Sequence, residues 1–358
     1  MKTIFVVDIE PLENRYTKQW FDVVPNQLRE RFAGKANVVV ISGSLDTEYK
    51  APMRGAFFDF ALTQVYKSEQ SAKIAKMFSD GEVKQGDVFL FTDAWHPAIH
   101  TIRYISELLH IRVSCAGIWH AGFYDPTDIL GVNLVSRKWI ENLEKSMAFG
   151  YDLSFFATEQ HKAKFIKAYP QLKNSKSLIV CGQPYDYLSV LQNNEKKEDI
   201  VVFPHRLNHD KNPWFFDAIT EVANKSHPSI SFIKTQSLDL DKAAYYNLLS
   251  RSKVVFSCSD HENLGVGTFE AVLSGCLPLL PNKLSYRELY SPAFLYNGPF
   301  VNTRRVTKKM IQYIAERVVN LVGMYYNKDL QDLRLQDIER CKKQFFSSQE
   351  MLDYLERL

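Results

Sequence analysis

Residues 261–282 read HENLGVGTFEAVLSGCLPLLPN. The stretch opens as a polar turn carrying Glu262. Gly265 and Gly267 then stand at the start of an apolar helix predicted over 264–273. Gly275 is placed to end that helix as a left-handed cap, and Leu277-Pro278-Leu279-Leu280 forms a short buried strand. Just upstream, Val254-Val255-Phe256-Ser257 is another short apolar strand. Strand, turn, helix and strand joined by short connections are the pattern of a parallel α/β unit.

The same pattern extends outward in both directions. Before this stretch come a strand at 200–203, a helix at 213–224, a strand at 230–234 and a helix at 241–249. After it, Ile311, Ile314, Val318, Leu321 and Val322 mark an amphipathic helix beginning beyond Asn302 and Thr303. The amino-terminal half repeats the pattern, with strands predicted at 3–7, 37–41, 87–92, 113–118, 153–157 and 178–180. Helices fall around 20–32 and after Pro97, where Ile99, Ile102, Ile105 and Leu109 recur at helical spacing. Residues 44–85 are expected as an exposed loop, SLDTEYKAPMRG, followed by one or two helices.

Two rounds of alternation in 358 residues fit two compact domains. Gly182-Gln183-Pro184 and the charged run 193–199 mark the linker. The expected organisation is a first Rossmann-like domain over 1–190, a second over 199–330, and a tail over 331–358 whose helix crosses back to the first. The hydrophobic fraction of 46% and charged fraction of 24% are those of an ordinary globular protein, so disorder is not expected to dominate. A net charge of +3 neither requires nor forbids a polyanionic partner. The first residues offer too short an apolar run for a signal peptide, and no segment approaches a membrane span. Cys115, Cys181, Cys258, Cys276 and Cys341 are scattered and odd in number, unlike a disulfide framework or a zinc site. The expected location is cytoplasmic, the host's cytoplasm if the chain is viral.

In open parallel sheets, ligands bind beyond the carboxyl ends of the strands. The segments in that position are 92–96, 118–122, 204–212 and 257–267. Glu262 and Glu270 bracket the glycine turn and can accept hydrogen bonds from sugar or ribose hydroxyls. The helix opening there presents free N–H groups and partial positive charge, suited to a diphosphate. Arg206 and Lys211, after the first strand of the same half, add a guanidinium fork and a point charge. In the first half, His120 follows one strand, and Asp93, Trp95 and His96 follow another. The loop 49–55 adds Lys50 and Arg54 as further ligand-contact candidates of the first half. His205 and His209 have the spacing of a metal pair, but Arg206 and Pro204 interrupt the pattern and no metal is assigned. The basic residues of 162–167, 173–176 and 304–309 could track a phosphate backbone, although such runs are more often solvated helix faces.

The stretch HENLGVGTFEAVLSGCLPLLPN, with two glutamates separated by seven residues, resembles the signature of GT-B-fold retaining glycosyltransferases, and FPHRLNHDKNPWFF at 203–216 strengthens the likeness. That resemblance implies two Rossmann-like domains facing across a cleft, the second holding a nucleotide-sugar donor and the first an acceptor. It implies that Arg206 and Lys211 hold the donor diphosphate, that Glu270 binds the ribose, and that Glu262 contacts the transferred sugar. Asn263, Leu264 and Gly265 would line that sugar, and His120 would stand near it. The implied co-substrate is a UDP- or GDP-sugar, with no metal and no other cofactor. Many such enzymes carry a glycine-rich loop after the first strand, whereas here Asp8-Ile9-Glu10-Pro11-Leu12-Glu13-Asn14-Arg15 has no glycine. The wording PHRLNHDKNP (204–213) together with SGCLPLLPNKLSYREL (274–289) is similar to the transferases that mannosylate queuosine in transfer RNA, and virus-encoded DNA-base glycosyltransferases are related in fold. A modified base in tRNA or DNA is therefore the expected acceptor. The alternatives are a polysaccharide or lipid acceptor, or a nucleotide-binding relative without transfer activity.

Overall fold

A computed structural model describes residues 1–12, 16–44, 59–134, 138–190 and 195–358. The chain divides into two units, residues 1–185 with 347–358, and residues 186–346.

In the first unit the elements run β1 (Lys2–Val7), α1 (Tyr16–Arg31), β2 (Ala36–Ile41), α2 (Phe60–Ser79), β3 (Val88–Phe91), α3 (Ala98–Leu108), β4 (Ser114–Ile118), α4 (Ile129–Asn133), α5 (Lys138–Gly150), β5 (Leu153–Phe156), α6 (Glu159–Ala168) and β6 (Leu178–Val180). The strands form a six-stranded sheet in the order β2-β1-β3-β4-β5-β6. Every pairing in it is parallel. Parallel strands need crossover connections, and helices supply them here. The central strands are buried on both faces, which is why β3, VFLF, is apolar throughout. Phe5, Phe89, Phe91, Trp119, Phe156 and Phe165 anchor the core.

The second unit contains β7 (Glu198–Phe203), α7 (Pro213–Ser226), β8 (Ser231–Lys234), α8 (Lys242–Arg251), β9 (Ser252–Phe256), α9 (Val266–Leu273), β10 (Leu277–Pro281), α10 (Tyr286–Leu289), β11 (Leu295–Tyr296), α11 (Lys308–Gly323) and α12 (Lys328–Gln344). Its five-stranded sheet has the order β11-β10-β9-β7-β8, again all parallel. Read from β8, this is the doubly wound order in which connections leave β7 in opposite directions. The crevice beyond the carboxyl ends of β7 and β9 is therefore the topological switch point of this unit. Phe203, Phe216, Phe256 and Tyr296 stack through its core.

The unit boundaries differ from those expected. α12 stays with the second unit because Asp337, 1% exposed, accepts hydrogen bonds from the Ser291 N–H at 2.7 Å and hydroxyl at 2.9 Å. Phe346 then stacks on Phe269 with ring centroids 3.8 Å apart. Only the last helix, α13 (Gln349–Glu356), belongs to the first unit. Arg31 bridges its Asp353 at 2.6 Å and Glu356 at 2.7 Å, while Met351, Leu352 and Leu355 are buried.

The ambiguous segment resolves in part. α2 is one helix of 20 residues, started by Asp59, whose carboxylate accepts from the N–H groups of Ala61 and Leu62. Its weak apolar periodicity reflects burial of Lys67 and Gln70 beside Tyr66 and Ile74. No helix among the described residues is long and apolar enough to cross a membrane.

Candidate functional site

The loops after β7 and β9 are tied together by polar contacts. Asn212 is 3% exposed with φ of 52°, and its amide donates to the Cys258 carbonyl at 3.0 Å, Asp260 at 2.9 Å and Thr303 at 2.8 Å. The Asp260 N–H donates to the Asp210 carbonyl at 2.8 Å. Lys283 pairs with the Asp260 carboxylate at 2.5 Å. Burial opposes the charge on Asp260, but Lys283 and the bonds from Asn212 and Thr303 hold its carboxyl below the usual range. Asn212 and Asp260 are thus satisfied across the two segments.

Lys211 is at the centre of this join. It is 5% exposed, its ammonium donates to the His261 carbonyl, and it lies 3.4 Å from Glu262 Oε2 and 3.3 Å from Asp210. The other oxygen of Glu262 accepts the Gly265 N–H at 3.0 Å, satisfying one of the N–H groups at the mouth of α9. Burial alone would raise the Glu262 carboxyl, but the Lys211 ammonium beside it brings it down to about 2. His205, 6% exposed, is pushed down to about 3 by burial and by Lys211. It is therefore neutral, and it packs edge-on against Phe203. His209 is exposed, so the two histidines do not share a face. Among the described residues no cluster of His, Cys, Asp or Glu is arranged to hold a metal ion.

The two glycines have separate structural reasons. Gly265 caps α9 with φ of 81°, and a Cβ there would lie 3.2 Å from the Tyr286 ring. Gly267 lets the first turn approach the post-β7 loop, since a Cβ would lie 3.0 Å from the Pro204 carbonyl oxygen. Arg206 stands half-buried in that loop. Asn263 is half-buried and Leu264 is 4% exposed, both between Glu262 and Gly265. The structure therefore brings Arg206, Lys211, Glu262, Asn263, Leu264, Gly265 and Glu270 onto two adjoining segments of one unit.

Glu270, on α9, has partners that the sequence did not announce. Its Oε2 accepts from the Tyr245 hydroxyl at 3.2 Å and its Oε1 from the Tyr246 hydroxyl at 2.8 Å. Burial raises its carboxyl, and the two tyrosine bonds partly offset that rise. The tyrosines were missed because α8 reads as a plain amphipathic helix, and the contact spans 24 to 25 residues of chain.

In the first unit, His120 stands half-buried after β4. Its Nε2 lies 2.7 Å from the Thr92 carbonyl and its Nδ1 3.1 Å from the Tyr16 hydroxyl. A carbonyl only accepts, so Nε2 carries the proton and Nδ1 takes the tyrosine hydrogen. The ring packs against Trp20 at 5.0 Å, and burial lowers its pKa although Asp93 acts to raise it. Asp93 is held by Lys67 at 2.6 Å, an ion pair in which both side chains are largely buried. Lys67 was not singled out from the sequence, because a lysine on α2 reads as a solvated residue.

Trp95 and His96 serve the fold in this structure. The Trp95 indole N–H donates to Glu144 at 3.0 Å. His96 is 1% exposed, with Gln70 at 2.9 Å on one ring nitrogen and the Ala98 N–H at 3.1 Å on the other. Both nitrogens of His96 are thus engaged within the first unit, on a ring with almost no surface. Lys50 and Arg54 lie outside the described residues.

No protein-family model matches the sequence. A tRNA-queuosine alpha-mannosyltransferase of Drosophila melanogaster is 30% identical over 136 residues, 32% of this chain and 35% of that protein. The chain thus matches about a third of the length of that curated relative. Among solved structures, the catalytic domain of starch synthase IV from Arabidopsis thaliana, bound to ADP and acarbose, superposes with a TM-score of 0.59 at 11% identity, covering 100% of this chain and 98% of that one. Sucrose-phosphate synthase from Thermosynechococcus elongatus gives 0.58 at 11% identity with the same coverage. The pneumococcal O-GlcNAc transferase GtfA, in complex with UDP and GlcNAc, gives 0.54 at 13% identity over 80% of this chain and 59% of that one. These likenesses show the fold: the chain has the two-domain α/β fold of the GT-B glycosyltransferases.

Proposed function

We propose that this protein is a retaining glycosyltransferase that takes a sugar from a UDP- or GDP-sugar and transfers it to a hydroxyl of a modified base in nucleic acid. The observation that carries this reading is the meeting of the post-β7 loop that carries Arg206 and Lys211 with the segment that opens α9, made through Lys211 and Glu262 at the switch point of the second unit. The donor diphosphate is held by Arg206, Lys211 and the N–H groups at the start of α9. Glu270 accepts the ribose hydroxyls, while Glu262 with the backbone of Asn263, Leu264 and Gly265 lines the sugar.

As the glycosidic bond to phosphate lengthens, negative charge gathers on the leaving diphosphate, and the two cations stabilise it without a metal. The leaving phosphate oxygen takes the proton of the acceptor hydroxyl as that hydroxyl attacks the same face of the sugar, so the anomeric configuration is kept. His120 is neutral, with its Nε2 proton given to the Thr92 carbonyl and its Nδ1 accepting from Tyr16.

The likeness to a tRNA-queuosine alpha-mannosyltransferase favours tRNA as acceptor and mannose as the first sugar to try. A cytoplasmic location fits cysteines that are all free and buried. The test is incubation of the protein with labelled GDP- and UDP-hexoses in the presence of tRNA, hydroxymethylated DNA, or polysaccharide and lipid fractions. Label entering nucleic acid with the donor's anomeric configuration is the expected result. Label in polysaccharide or lipid moves the acceptor assignment, and donor binding without transfer or hydrolysis marks an inactive relative.

A further inference from the structure

Glu270 is held at both of its oxygens. Tyr245 donates to Oε2 at 3.2 Å and Tyr246 to Oε1 at 2.8 Å. The tyrosines are consecutive on α8, their rings tilted with centroids 5.3 Å apart. Asp241 fixes the start of that helix by accepting the Ala244 N–H at 2.7 Å. The Tyr245 hydroxyl also lies 3.7 Å from where a Cβ on Gly267 would stand, beside the Pro204 carbonyl, so it sits at the opening of α9.

An ionised carboxylate offers about four lone-pair positions, two on each oxygen. One tyrosine on each oxygen leaves one position on each, the arrangement that a vicinal diol can meet with two parallel hydrogen bonds. We propose that Tyr245 and Tyr246 are positioning residues that orient the Glu270 carboxylate to receive both ribose hydroxyls of the donor nucleotide, and that they thereby set selection of ribonucleotides over 2′-deoxyribonucleotides. This rests on the reading that Glu270 faces the donor ribose.

Burial raises the Glu270 carboxyl, and the tyrosine hydroxyls lower it again. Removing them therefore moves ionisation of Glu270 to higher pH and shifts the onset of nucleotide binding the same way. A residue that only fills space leaves that profile unmoved.

The experiment is calorimetric titration of UDP and GDP, each against its 2′-deoxy counterpart, into the full chain and into Y245F, Y246F, the double variant and E270A. Thermal midpoints serve as a folding control. The expected result is a loss of roughly tenfold in ribonucleotide affinity in the double variant, with a clearly smaller loss for the 2′-deoxynucleotide, which keeps only its 3′-hydroxyl contact. An equal loss for both sugars assigns the tyrosines a structural role and overturns the proposal. Discrimination that survives in the double variant but disappears in E270A also overturns it, and leaves the Glu270 reading standing. Ribonucleotide affinity unaffected by E270A, or no binding of either nucleotide, removes that reading and the proposal together.

Discussion

Lys211 Nζ lies 3.4 Å from Glu262 Oε2, joining the loop after β7 to the loop after β9 across 51 residues of chain. Both side chains are largely buried, so each charge depends on the other. Removing one partner from a buried pair leaves the other uncompensated, which costs about 3–5 kcal/mol. K211A and E262Q are each expected to fall in that range, with the double variant well short of their sum. Denaturant unfolding of the four proteins checks this. Additive losses would mean that the pair is not coupled.

The same pair predicts a pH window. Glu262 titrates near 2 in the folded chain, against an ordinary value of 4.5. Its folded pKa is lowered, so its contribution is present above pH 4.5 and is lost as pH falls toward 2. The stability difference between wild type and E262Q is therefore expected to shrink across that interval. Parallel unfolding curves at pH 6, 4 and 3 provide the comparison, and a constant difference argues against the shift.

At the mouth of α9, G265A places a side chain at φ of 81° and 3.2 Å from Tyr286. The left-handed conformation alone costs about 1–2 kcal/mol. G267A instead pushes a Cβ to 3.0 Å from the Pro204 carbonyl, spreading the segments that carry Arg206 and Glu270. G265A is expected to lower the thermal midpoint, while G267A weakens nucleotide binding by more than its change in stability explains. Both effects are measured by thermal denaturation and nucleotide titration.

Glu144 supports the first unit. Fully buried, it accepts from the N–H groups of Phe123 at 2.6 Å and Tyr124 at 2.8 Å, the Tyr169 hydroxyl at 2.6 Å and the Trp95 indole at 3.0 Å. Above pH 7, where Glu144 is ionised, glutamine turns one accepting atom into a donor facing donors, so E144Q is expected to cost about 2–3 kcal/mol there. Burial raises the carboxyl to about 7 despite those bonds. The native chain thus keeps a proton that the unfolded chain has released above pH 4.5, and wild-type stability from this group falls as pH rises from 4.5 to 7. E144Q removes that slope. A stability profile identical to wild type between those pH values contradicts this.

Much of the second unit was readable because its strands are short unbroken apolar runs and its turns carry Gly265, Gly267 and Gly275. The helix expected from Leu264 begins at Val266, since Gly265 is the left-handed cap before it. The helix expected after Thr303 begins beyond Thr307, whose hydroxyl accepts the Met310 N–H. α12 was not separable from the tail, because its attachment is the buried Asp337–Ser291 pair, distant in sequence. Pairings such as Tyr246 with Glu270, Lys67 with Asp93 and Asn212 with Asp260 leave no local periodicity to read. His96 looked functional for the opposite reason: its position after β3 suits a ligand, but its ring is consumed by Gln70 and the Ala98 N–H.

The account turns on a diphosphate being held by Arg206 and Lys211 at the opening of α9. Calorimetric titration of UDP, GDP and the corresponding free nucleosides into wild type, R206A and K211A measures this most directly. The account predicts that one diphosphate binds wild type at least about tenfold more tightly than its nucleoside, and that this advantage collapses in both variants while they remain folded. A diphosphate that binds no more tightly than its nucleoside, or an advantage that survives in both variants, contradicts it.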